Sequence, residues 1–408
     1  MQKSWQPMRH SVFRAVWIAA LASNVGTWMQ NLGAAWLMTT MPVTPLMVAL
    51  VQTATTLPAF LVGLQAGAIA DLWDRRTVLI LTQVWMLAAA ALLGVLTLGG
   101  WVGPWWLLTL TLALGFGSAM MFPAWAAAIP ELVPREELPQ AVALNSVQFN
   151  IARAIGPALA GIVLAATNAG VVFLLNAISF LGVILVFWRW KPGGHRRERR
   201  GTVTEAVLAG LRYVRSSKPY HPVLMRCGVF VFMGSALWAM LPVVASEVRH
   251  SATGYGVLLG CLGAGAVVGA MMISPLRERY TADQVATAGN LLFACATTGL
   301  AVLGSFGALA AAMLVGGVAW MTTMTMFNVA AQTAPPPAMR ARALGVYVLV
   351  FQAALAAGSA AWGAVANHAG VRNSLLLSAA ALVAVIVGGL RFPIAAAMIP
   401  QPDEVAAQ

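Results

Sequence analysis

The sequence predicts an all-α integral membrane protein, with twelve transmembrane helices in two pseudo-symmetric six-helix bundles. Three observations support this prediction: the composition, a regular series of apolar runs and a weak internal repeat. Of the 408 residues, 60% are hydrophobic and only 9% are charged. A soluble domain of this size would expose much of that apolar surface to water, so we expect a lipid bilayer around it.

The apolar runs have the length that a transmembrane helix needs, which is roughly 20 residues for a hydrocarbon core of about 30 Å. Pro, Gly or charged residues separate them. The twelve predicted spans lie near residues 13–41, 46–70, 77–99, 104–129, 141–167, 171–190, 222–246, 254–276, 284–305, 307–333, 341–366 and 371–394. The first run is longer than the apolar core of a signal peptide, so we expect an uncleaved span.

Basic residues are distributed unevenly between the two ends of the spans. Lys and Arg outnumber Asp and Glu by 24 to 12. With the N-terminus inside, Arg249 and Arg372 lie in outside loops, Arg153 lies within a span, and the other 21 are cytoplasmic. This positive-inside pattern predicts a multi-pass protein with both termini cytoplasmic. It also explains the basic balance without a nucleic-acid partner.

The two halves of the chain repeat one another at an offset of about 202 residues. Gly67, Arg75, Phe149, Gly156 and Gly161 correspond to Gly269, Arg277, Phe351, Gly358 and Gly363. We therefore predict an N-terminal six-helix bundle (1–190), a cytoplasmic linker with an amphipathic helix (191–221), a C-terminal six-helix bundle (222–394) and a cytoplasmic tail (395–408). In the linker, Thr202 and Glu205 match a capping box ahead of an apolar stripe that ends at Val214.

The residues needed for common enzyme chemistry are missing. Lysine occurs only at positions 3, 191 and 218, so no phosphate-binding loop ending in Gly-Lys-Ser/Thr is present. The five histidines lack the spacing of a metal site, and no catalytic triad or carboxylate pair lies at one membrane depth. Cys227, Cys261 and Cys295 lie in apolar runs and are expected to be small buried hydrophobes. We expect no enzyme activity, no metal and no cofactor.

Arg153 is the one ionisable side chain predicted to lie deep in a span. It follows the start of span 5 by about ten residues, roughly 15 Å at 1.5 Å per residue. An arginine exposed to lipid there costs at least ~2.5–3.5 kcal/mol, so it should face a wet cavity or a partner. Ser146, Asn150 and Pro157 share its helical face, which favours a cavity wall. The alternative is a structural brace: an ion pair with Glu131, or hydrogen bonds to span 4 or span 1.

Two other spans carry polar stripes at helical spacing. In span 1 these are Asn24, Thr27, Trp28 and Asn31, and in span 10 they are Met321, Met324, Thr325, Asn328 and Gln332. Adaptable Met, flat Trp and a few amides suit an amphiphilic pocket, so we predict that Asn24, Trp28, Asn31, Met324, Asn328 and Gln332 contribute to a binding site. The alternative is hydrogen bonding and packing between helices.

Several stretches resemble a known transporter family. "GAIADLWDRRTVL" (67–79) resembles the loop between spans 2 and 3 of the major facilitator superfamily. "SNVGTWMQNLGAAWLM", "MMFPAWAAAIPELVPREELPQAVALNSVQFNIARAIGPALAG" and "GLRYVRSSKP" resemble the transmembrane secretion effector group, which contains siderophore exporters and drug-efflux proteins. The resemblance covers most of the chain and is more specific in the first half. It implies the major facilitator fold.

The resemblance also implies roles for individual residues. Gly67 would allow close approach of spans 2 and 3, and a cytoplasmic gating network would include Asp71, Arg75 and Arg76, with Glu131 at the same end of the membrane. The chain departs from the superfamily pattern with Leu72 where a basic residue is common and Asp74 where glycine is common. "GPALAG" (156–161) resembles the antiporter signature, in which Gly156, Pro157 and Gly161 would bend or thin span 5. A packing seam is the alternative.

Together with the resemblance, which implies export, these observations predict a secondary transporter of the bacterial cytoplasmic (inner) membrane that moves a small amphiphilic molecule, siderophore-like or drug-like, outward by alternating access. Proton antiport is one option for energy coupling, through Asp71 or Glu131 or with the proton carried by the substrate. We expect a monomer whose partners are the substrate, protons and the bilayer. Two alternatives stay open: an importer of a nutrient or metabolite on the same fold, and a membrane partner that transports nothing.

Overall fold

Twelve long α-helices make up most of the computed structural model, which describes residues 2–190, 210, 212–217, 220–249, 251–336, 339–389 and 393–394. In chain order they are α1 Ser11–Thr39, α2 Pro45–Leu72, α3 Arg75–Leu98, α4 Pro104–Ala128, α5 Leu138–Ala166, α6 Ala169–Arg189, α7 Tyr220–Arg249, α8 Ala252–Arg279, α9 Ala282–Val302, α10 Phe306–Thr333, α11 Arg340–Ala369 and α12 Val371–Gly389. Three short 3-10 helices occupy Gln2–Arg9, Ile129–Glu131 and Arg135–Glu137. The described residues contain no strand. The predicted all-helical membrane fold is confirmed.

Ten of the described helices are long and apolar enough to cross a membrane. The other two are α1 and α12, and the described apolar part of α12 is the shorter segment Val371–Ile386. In α1, the amides of Asn24, Gln30 and Asn31 lower the mean hydropathy. Both helices still coincide with predicted spans, so the helix positions follow the sequence prediction throughout the described chain.

Tryptophan side chains mark the two ends of the α3 region. Trp101 and Trp105 follow α3 with 70% and 66% of their surface exposed, and Trp73 precedes it with 58% exposed. The 24 residues of α3 span about 36 Å at 1.5 Å per residue, close to the thickness of a bilayer core with its interfaces. Indole rings favour the membrane–water boundary, so these tryptophans fit an aromatic belt at each surface.

Helix ends are set by local capping residues. Asp74, the departure from the superfamily glycine, is the N-cap of α3 and accepts hydrogen bonds from the backbone nitrogen and hydroxyl of Thr77 at 2.9 and 2.8 Å. Asn168 caps α6 by accepting from the Val171 nitrogen at 3.2 Å. Thr281 and Gln284 form a reciprocal capping box at the start of α9. These side-chain oxygens accept hydrogen bonds from backbone N–H groups that have no carbonyl partner in the first helical turn.

The chain folds as two compact units. Unit 1 comprises Met1–Val43, Ala54–Val203 and Ser251–Gly260, and unit 2 comprises Thr44–Thr53, Thr204–His250 and Cys261–Gln408. The beginning of α2 therefore belongs to unit 2 and the beginning of α8 to unit 1. The predicted linker helix and the tail lie largely outside the described residues, although residues 212–216 are helical. The predicted domain boundaries (1–190, 191–221, 222–394 and 395–408) stay a prediction.

Glycines set the closest helix contacts in unit 1. A Cβ atom at Gly26 of α1 would lie 2.6 Å from Oδ1 of Asn176 in α6, and one at Gly94 of α3 would lie 2.7 Å from Leu174. A Cβ at Gly117 of α4 would overlap the Met86 side chain of α3. In lipid, helices associate through close packing and not through water exclusion, so small residues belong at these seams.

In unit 2, α8 and α10 approach so closely that their backbones touch. A Cβ at Gly265 would overlap the carbonyl group of Leu314, and one at Gly317 would overlap that of Leu262. The two glycines thus form a reciprocal seam. The rigid backbone carbonyls that face each glycine leave no room for any larger residue.

We predict that Gly317→Ala destabilises unit 2. The added methyl would have to displace the Leu262 carbonyl, and overpacking of this kind costs about 1–3 kcal/mol. The apparent melting temperature of the purified protein in detergent should fall by several degrees. The control is Gly345→Ala in α11, where a Cβ would meet no described atom within 4 Å. Equal melting temperatures for the two variants would show that the α8–α10 seam is not closed as described.

Candidate functional site

Arg153 lies midway along α5 against the face of an aromatic ring. Its guanidinium carbon is 5.8 Å from the ring centroid of Trp28 in α1, within the range of a cation–π interaction. Phe149, one turn earlier on α5, meets the same indole edge-on, with ring centroids 6.4 Å apart and planes at 66°. Arg153 is half-buried in this setting. The three side chains form a cationic, aromatic surface in unit 1, which we call the Arg153 cluster.

A glycine brings the two helices of the Arg153 cluster together. A Cβ atom at Gly156 would lie 2.5 Å from the Cβ of Trp28 and 3.2 Å from the carbonyl oxygen of Val25. Nearer the other end of the same seam, the indole nitrogen of Trp17 donates to the carbonyl oxygen of Leu144 at 2.9 Å. The absence of a side chain at Gly156 thus lets Trp28 lie beneath the Arg153 guanidinium.

Arg153 has no carboxylate partner among the described residues. Glu131, one brace considered from the sequence, forms its ion pair with Arg75 instead. The ion-pair alternative with Glu131 is therefore wrong. The reason is position along the helices: the 3-10 turn after α4 places Glu131 beside the first turn of α3, while Arg153 lies more than four turns into α5.

The other predicted residues of unit 1 lie along the same two helices. Ser146 and Asn150 are exposed. Among the described residues, the Ser146 hydroxyl donates to the Val142 carbonyl at 3.2 Å and the Asn150 amide to the Ser146 carbonyl at 2.8 Å, so both bond within α5. Asn24 and Asn31 are half-buried, about one turn on either side of Trp28. The structure thus places polar groups along the α5 surface that carries Arg153.

In unit 2, the predicted residues of α10 divide between core and surface. Met324 is buried with 7% of its surface exposed, whereas Asn328 and Gln332 are exposed. The Asn328 amide donates to the Met324 carbonyl at 3.0 Å, a bond within the helix. Met324 therefore belongs to the packed interior of unit 2, and the exposed amides of Asn328 and Gln332 remain available for binding.

The sequence analysis did not predict an aromatic cluster in unit 2. The ring of Trp320 in α10 lies 5.4–6.5 Å from those of Phe230, Trp238, Phe293 and Phe351. The internal repeat contains a signal for it, since Phe230 and Phe351 correspond to Trp28 and Phe149. The aromatic part of the Arg153 cluster is thus repeated in unit 2, without an arginine at the position of Arg153, where Leu355 stands.

Two of the predicted gating residues, Arg75 and Arg76, each contact a neighbouring element at the start of α3. Arg75 pairs with Glu131 and also donates to the Ala127 carbonyl at 3.0 Å. Arg76 donates to the carbonyl oxygens of Phe187, at 2.9 Å, and Trp188. Those carbonyls end α6, where unpaired acceptors and the helix dipole favour a cation. The side chain of Asp71 lies outside the described part of the chain.

Gly67 does not fill the packing role expected of it. A Cβ atom there would meet no described atom within 4 Å. The close approaches of α3 are made to α4 and α6, at Gly117 and Gly94. The expectation that Gly67 allows close approach of spans 2 and 3 is therefore wrong for the described structure, because the tight seams of α3 lie on its other sides.

Gly156, Pro157 and Gly161 lie in a packing seam, in an α5 that stays helical through Pro157. Gly156 packs on α1. On the start of α8, a Cβ atom at Gly256 would lie 2.8 Å from the Pro157 carbonyl oxygen, and the Thr253 hydroxyl donates to the Gly161 carbonyl at 3.2 Å. The packing alternative is thus the one that the contacts support.

Three further findings concern histidine, cysteine and possible metal ligands. His10 pairs with Glu137 at 3.1 Å, a contact that the sequence reasoning missed. Of the cysteines, Cys227 is buried as expected, Cys261 is half-buried and Cys295 is exposed, which corrects the expectation for Cys295. No three His, Cys, Asp or Glu residues in the described chain lie close enough together to hold a metal ion.

Similarity to solved structures shows the fold. The chain matches a bacterial homologue of the human lysosomal transporter Spinster, in an inward-facing and occupied conformation, with a TM-score of 0.77 at 14% identity, covering 97% of this chain and 99% of that one. It matches the xylose transporter of E. coli with a TM-score of 0.70 at 12% identity, covering 93% and 96%. At these identities the match shows the fold alone: that of major facilitator transporters.

Sequence comparison narrows the class to one family. The model described as transmembrane secretion effector matches residues 2–403, and this chain belongs to that family. Its relatives include the enterobactin exporter of Citrobacter koseri (26% identical, 94% of this chain and 93% of that protein) and a multidrug efflux pump of Mycolicibacterium fortuitum (25%, 88% and 90%). The staphyloferrin A transporter of Staphylococcus aureus is 32% identical over 40% of this chain and 41% of its own length. The protein is a membrane transporter and not an enzyme.

We predict an energetic coupling between Arg75 and Glu131. Their side chains are only 22% and 20% exposed, so removing one partner leaves the other charge poorly solvated. Arg75→Gln and Glu131→Gln should each lower stability in detergent, and the double variant should lose less than the sum, by about 0.5–3 kcal/mol. The exposed Arg135→Gln is the control and should have little effect. Strictly additive losses would contradict the pair.

Proposed function

We propose that this protein is an exporter of the bacterial cytoplasmic membrane that moves a small amphiphilic anion by alternating access. The observation that supports this most directly is the Arg153 cluster. It combines a cation that has no carboxylate partner among the described residues with the faces and edges of two aromatic rings. Such a surface offers a binding site to an aromatic or otherwise planar group that carries negative charge.

The cost of burying charge explains why the substrate should be an anion. An arginine held within a membrane span without a counter-charge is expensive, whereas an anion bound beside it shares the cost of desolvation and supplies the missing charge. The same positive charge repels a cationic drug. A guanidinium is planar and can stack on a flat anionic group, so the site favours a flat substrate that lies beside the guanidinium and the two rings.

The relatives support export and differ in what their names say they carry. One is named as an enterobactin exporter, one as a staphyloferrin A transporter and one as a multidrug efflux pump. The Arg153 cluster favours the siderophore-like anion over the cationic drug for this chain. Asn24, Asn31, Ser146 and Asn150 in unit 1, with Asn328 and Gln332 in unit 2, are proposed as the polar contacts.

Energy coupling and orientation belong to the same proposal. We propose proton antiport, with gating at the cytoplasmic ends by Arg75, Arg76, Glu131 and Asp71. The ion pair between Glu131 and Arg75 joins α3 to the turn after α4, which makes it a candidate gating contact. Both termini are proposed to be cytoplasmic, with a monomer as the working unit and two six-helix bundles as the moving parts.

Transport in inside-out vesicles with an imposed proton gradient tests the proposal. A catecholate anion and a lipophilic cationic dye are offered separately to wild type and to Arg153→Ala. Wild type should accumulate the anion, and the variant should accumulate it at least about tenfold less, because a charge-assisted contact contributes ~1.5–3 kcal/mol. Collapse of the gradient should abolish uptake.

Two controls separate a binding role from a folding role. Arg135→Ala removes an exposed arginine in the short 3-10 helix before α5 and should transport like wild type. Arg153→Lys keeps the charge and loses the planar stacking surface, so it should retain part of the uptake. Accumulation of the dye alone would replace the anion with a cationic drug. Uptake of neither, with growth dependent on an external solute, would indicate an importer.

Reporter fusions test the orientation. A green fluorescent protein fused after Gln408 should fluoresce, because it folds in the cytoplasm, whereas alkaline phosphatase at the same position should stay inactive. Phosphatase inserted after Gly103, in the predicted outside loop between α3 and α4, should be active, since the positive-inside rule leaves that loop without Lys or Arg. The reverse pattern would overturn the proposed topology.

A further inference from the structure

Unit 2 contains a groove that the transport proposal does not use. It lies among α8, α9 and α10 and has a volume of about 360 Å³. Its walls are mostly apolar and include Met272 and Leu276 of α8, Ala288 and Leu292 of α9, and Val318 of α10. We call it the α8–α10 groove. Met272 and Leu292 are 41% and 43% exposed, so the groove opens on the surface of the unit.

The groove exists because α9 presents small side chains toward its neighbours. Gly289 packs so closely on α10 that a Cβ atom there would overlap the hydroxyl of Thr323. Ala288, beside it, is exposed and adds only a methyl group to the floor. An apolar hollow of this size does not hold ordered water, which needs several polar partners. In a membrane-spanning unit, the filler with matching chemistry is a hydrocarbon chain.

One end of the groove is polar, and basic residues of α8 follow it in the sequence. Tyr280 at the end of α8 and Gln284 in the first turn of α9 line it there, and both are exposed. Arg279 follows Leu276 by three residues, so it lies on the side of α8 that faces the groove. Glu278 follows Leu276 by two residues and points to the opposite side of the helix. Arg277 adds a second exposed cation in the same last turn.

This layout matches the charge distribution of a membrane lipid. The apolar walls fit an acyl chain, and the end of the groove supplies a cation, a phenol and an amide at the level where α8 leaves the membrane. We propose that the α8–α10 groove binds one anionic phospholipid, with an acyl chain between Met272 and Leu292 and the phosphate beside Arg279. Tyr280 and Gln284 would donate hydrogen bonds to the phosphate or glycerol oxygens.

The proposal is independent of the transported substrate, and a binding measurement tests it without transport. The full-length protein is reconstituted with equal amounts of phosphatidylglycerol and phosphatidylethanolamine, extracted in mild detergent and examined by native mass spectrometry. Wild type should retain one phosphatidylglycerol as delipidation proceeds. Arg279→Gln should lower that retention about fivefold, the effect of one basic residue at a lipid headgroup. Because Arg279 is exposed, this variant should fold normally.

A second variant tests the apolar part. Ala288→Trp places an indole in the groove and should displace the lipid, whereas Ala311→Trp makes the same exchange at an exposed position of α10 outside the groove and should retain it. Equal retention by Ala288→Trp and wild type would overturn the site. Retention of phosphatidylethanolamine as well as phosphatidylglycerol would overturn its selectivity for an anion. Displacement of the lipid by the transported anion would make the groove a substrate site instead.

Discussion

The hydrocarbon core of the bilayer offers no hydrogen-bond partner to the backbone, and the rest of this structure depends on that constraint. Each segment that crosses must satisfy its own amide groups, so it is a helix. Because lipid is as apolar as leucine, helices associate by fitting closely and not by hiding from water. Gly26, Gly156 and Gly317 supply that fit where two backbones meet. The same close fit at Gly156 brings α1 and α5 together at the Arg153 cluster.

The arginines of this structure differ in the groups that compensate their charge. At the ends of the helices, Arg75 forms an ion pair with Glu131, and Arg226 forms one with Asp283. Arg76 donates hydrogen bonds to the free carbonyl groups at the end of α6. Arg153 is different because an indole face is its neighbour and no acid of the described chain reaches it. The indole face stabilises this cation only weakly, and in the proposed function a bound anion would supply the missing charge.

The two units have aromatic side chains at corresponding positions, but these side chains have different surroundings. Unit 1 keeps Trp28 and Phe149 beside a cation, whereas unit 2 surrounds Trp320 with Phe230, Phe293 and Phe351 in a packed core. The repeat therefore preserves the aromatic positions while the charge at position 153 is lost in the second copy. The two copies therefore differ in charge and in the surroundings of their aromatic rings.

The sequence by itself determined the helical class, the positions of all twelve helices and the presence of one cation within a span, because helix length and hydropathy follow directly from bilayer thickness. It also marked Arg153, as the one cation within a span, and Trp28, as part of a polar stripe in span 1, as candidate site residues. Only the tertiary structure showed that Arg153 lies against the Trp28 ring and that Glu131 pairs with Arg75. It also showed that Gly67 makes no close packing contact with α3. Such pairings depend on how each helix is rotated about its axis. Helices that are apolar on every side carry little sequence signal for that rotation.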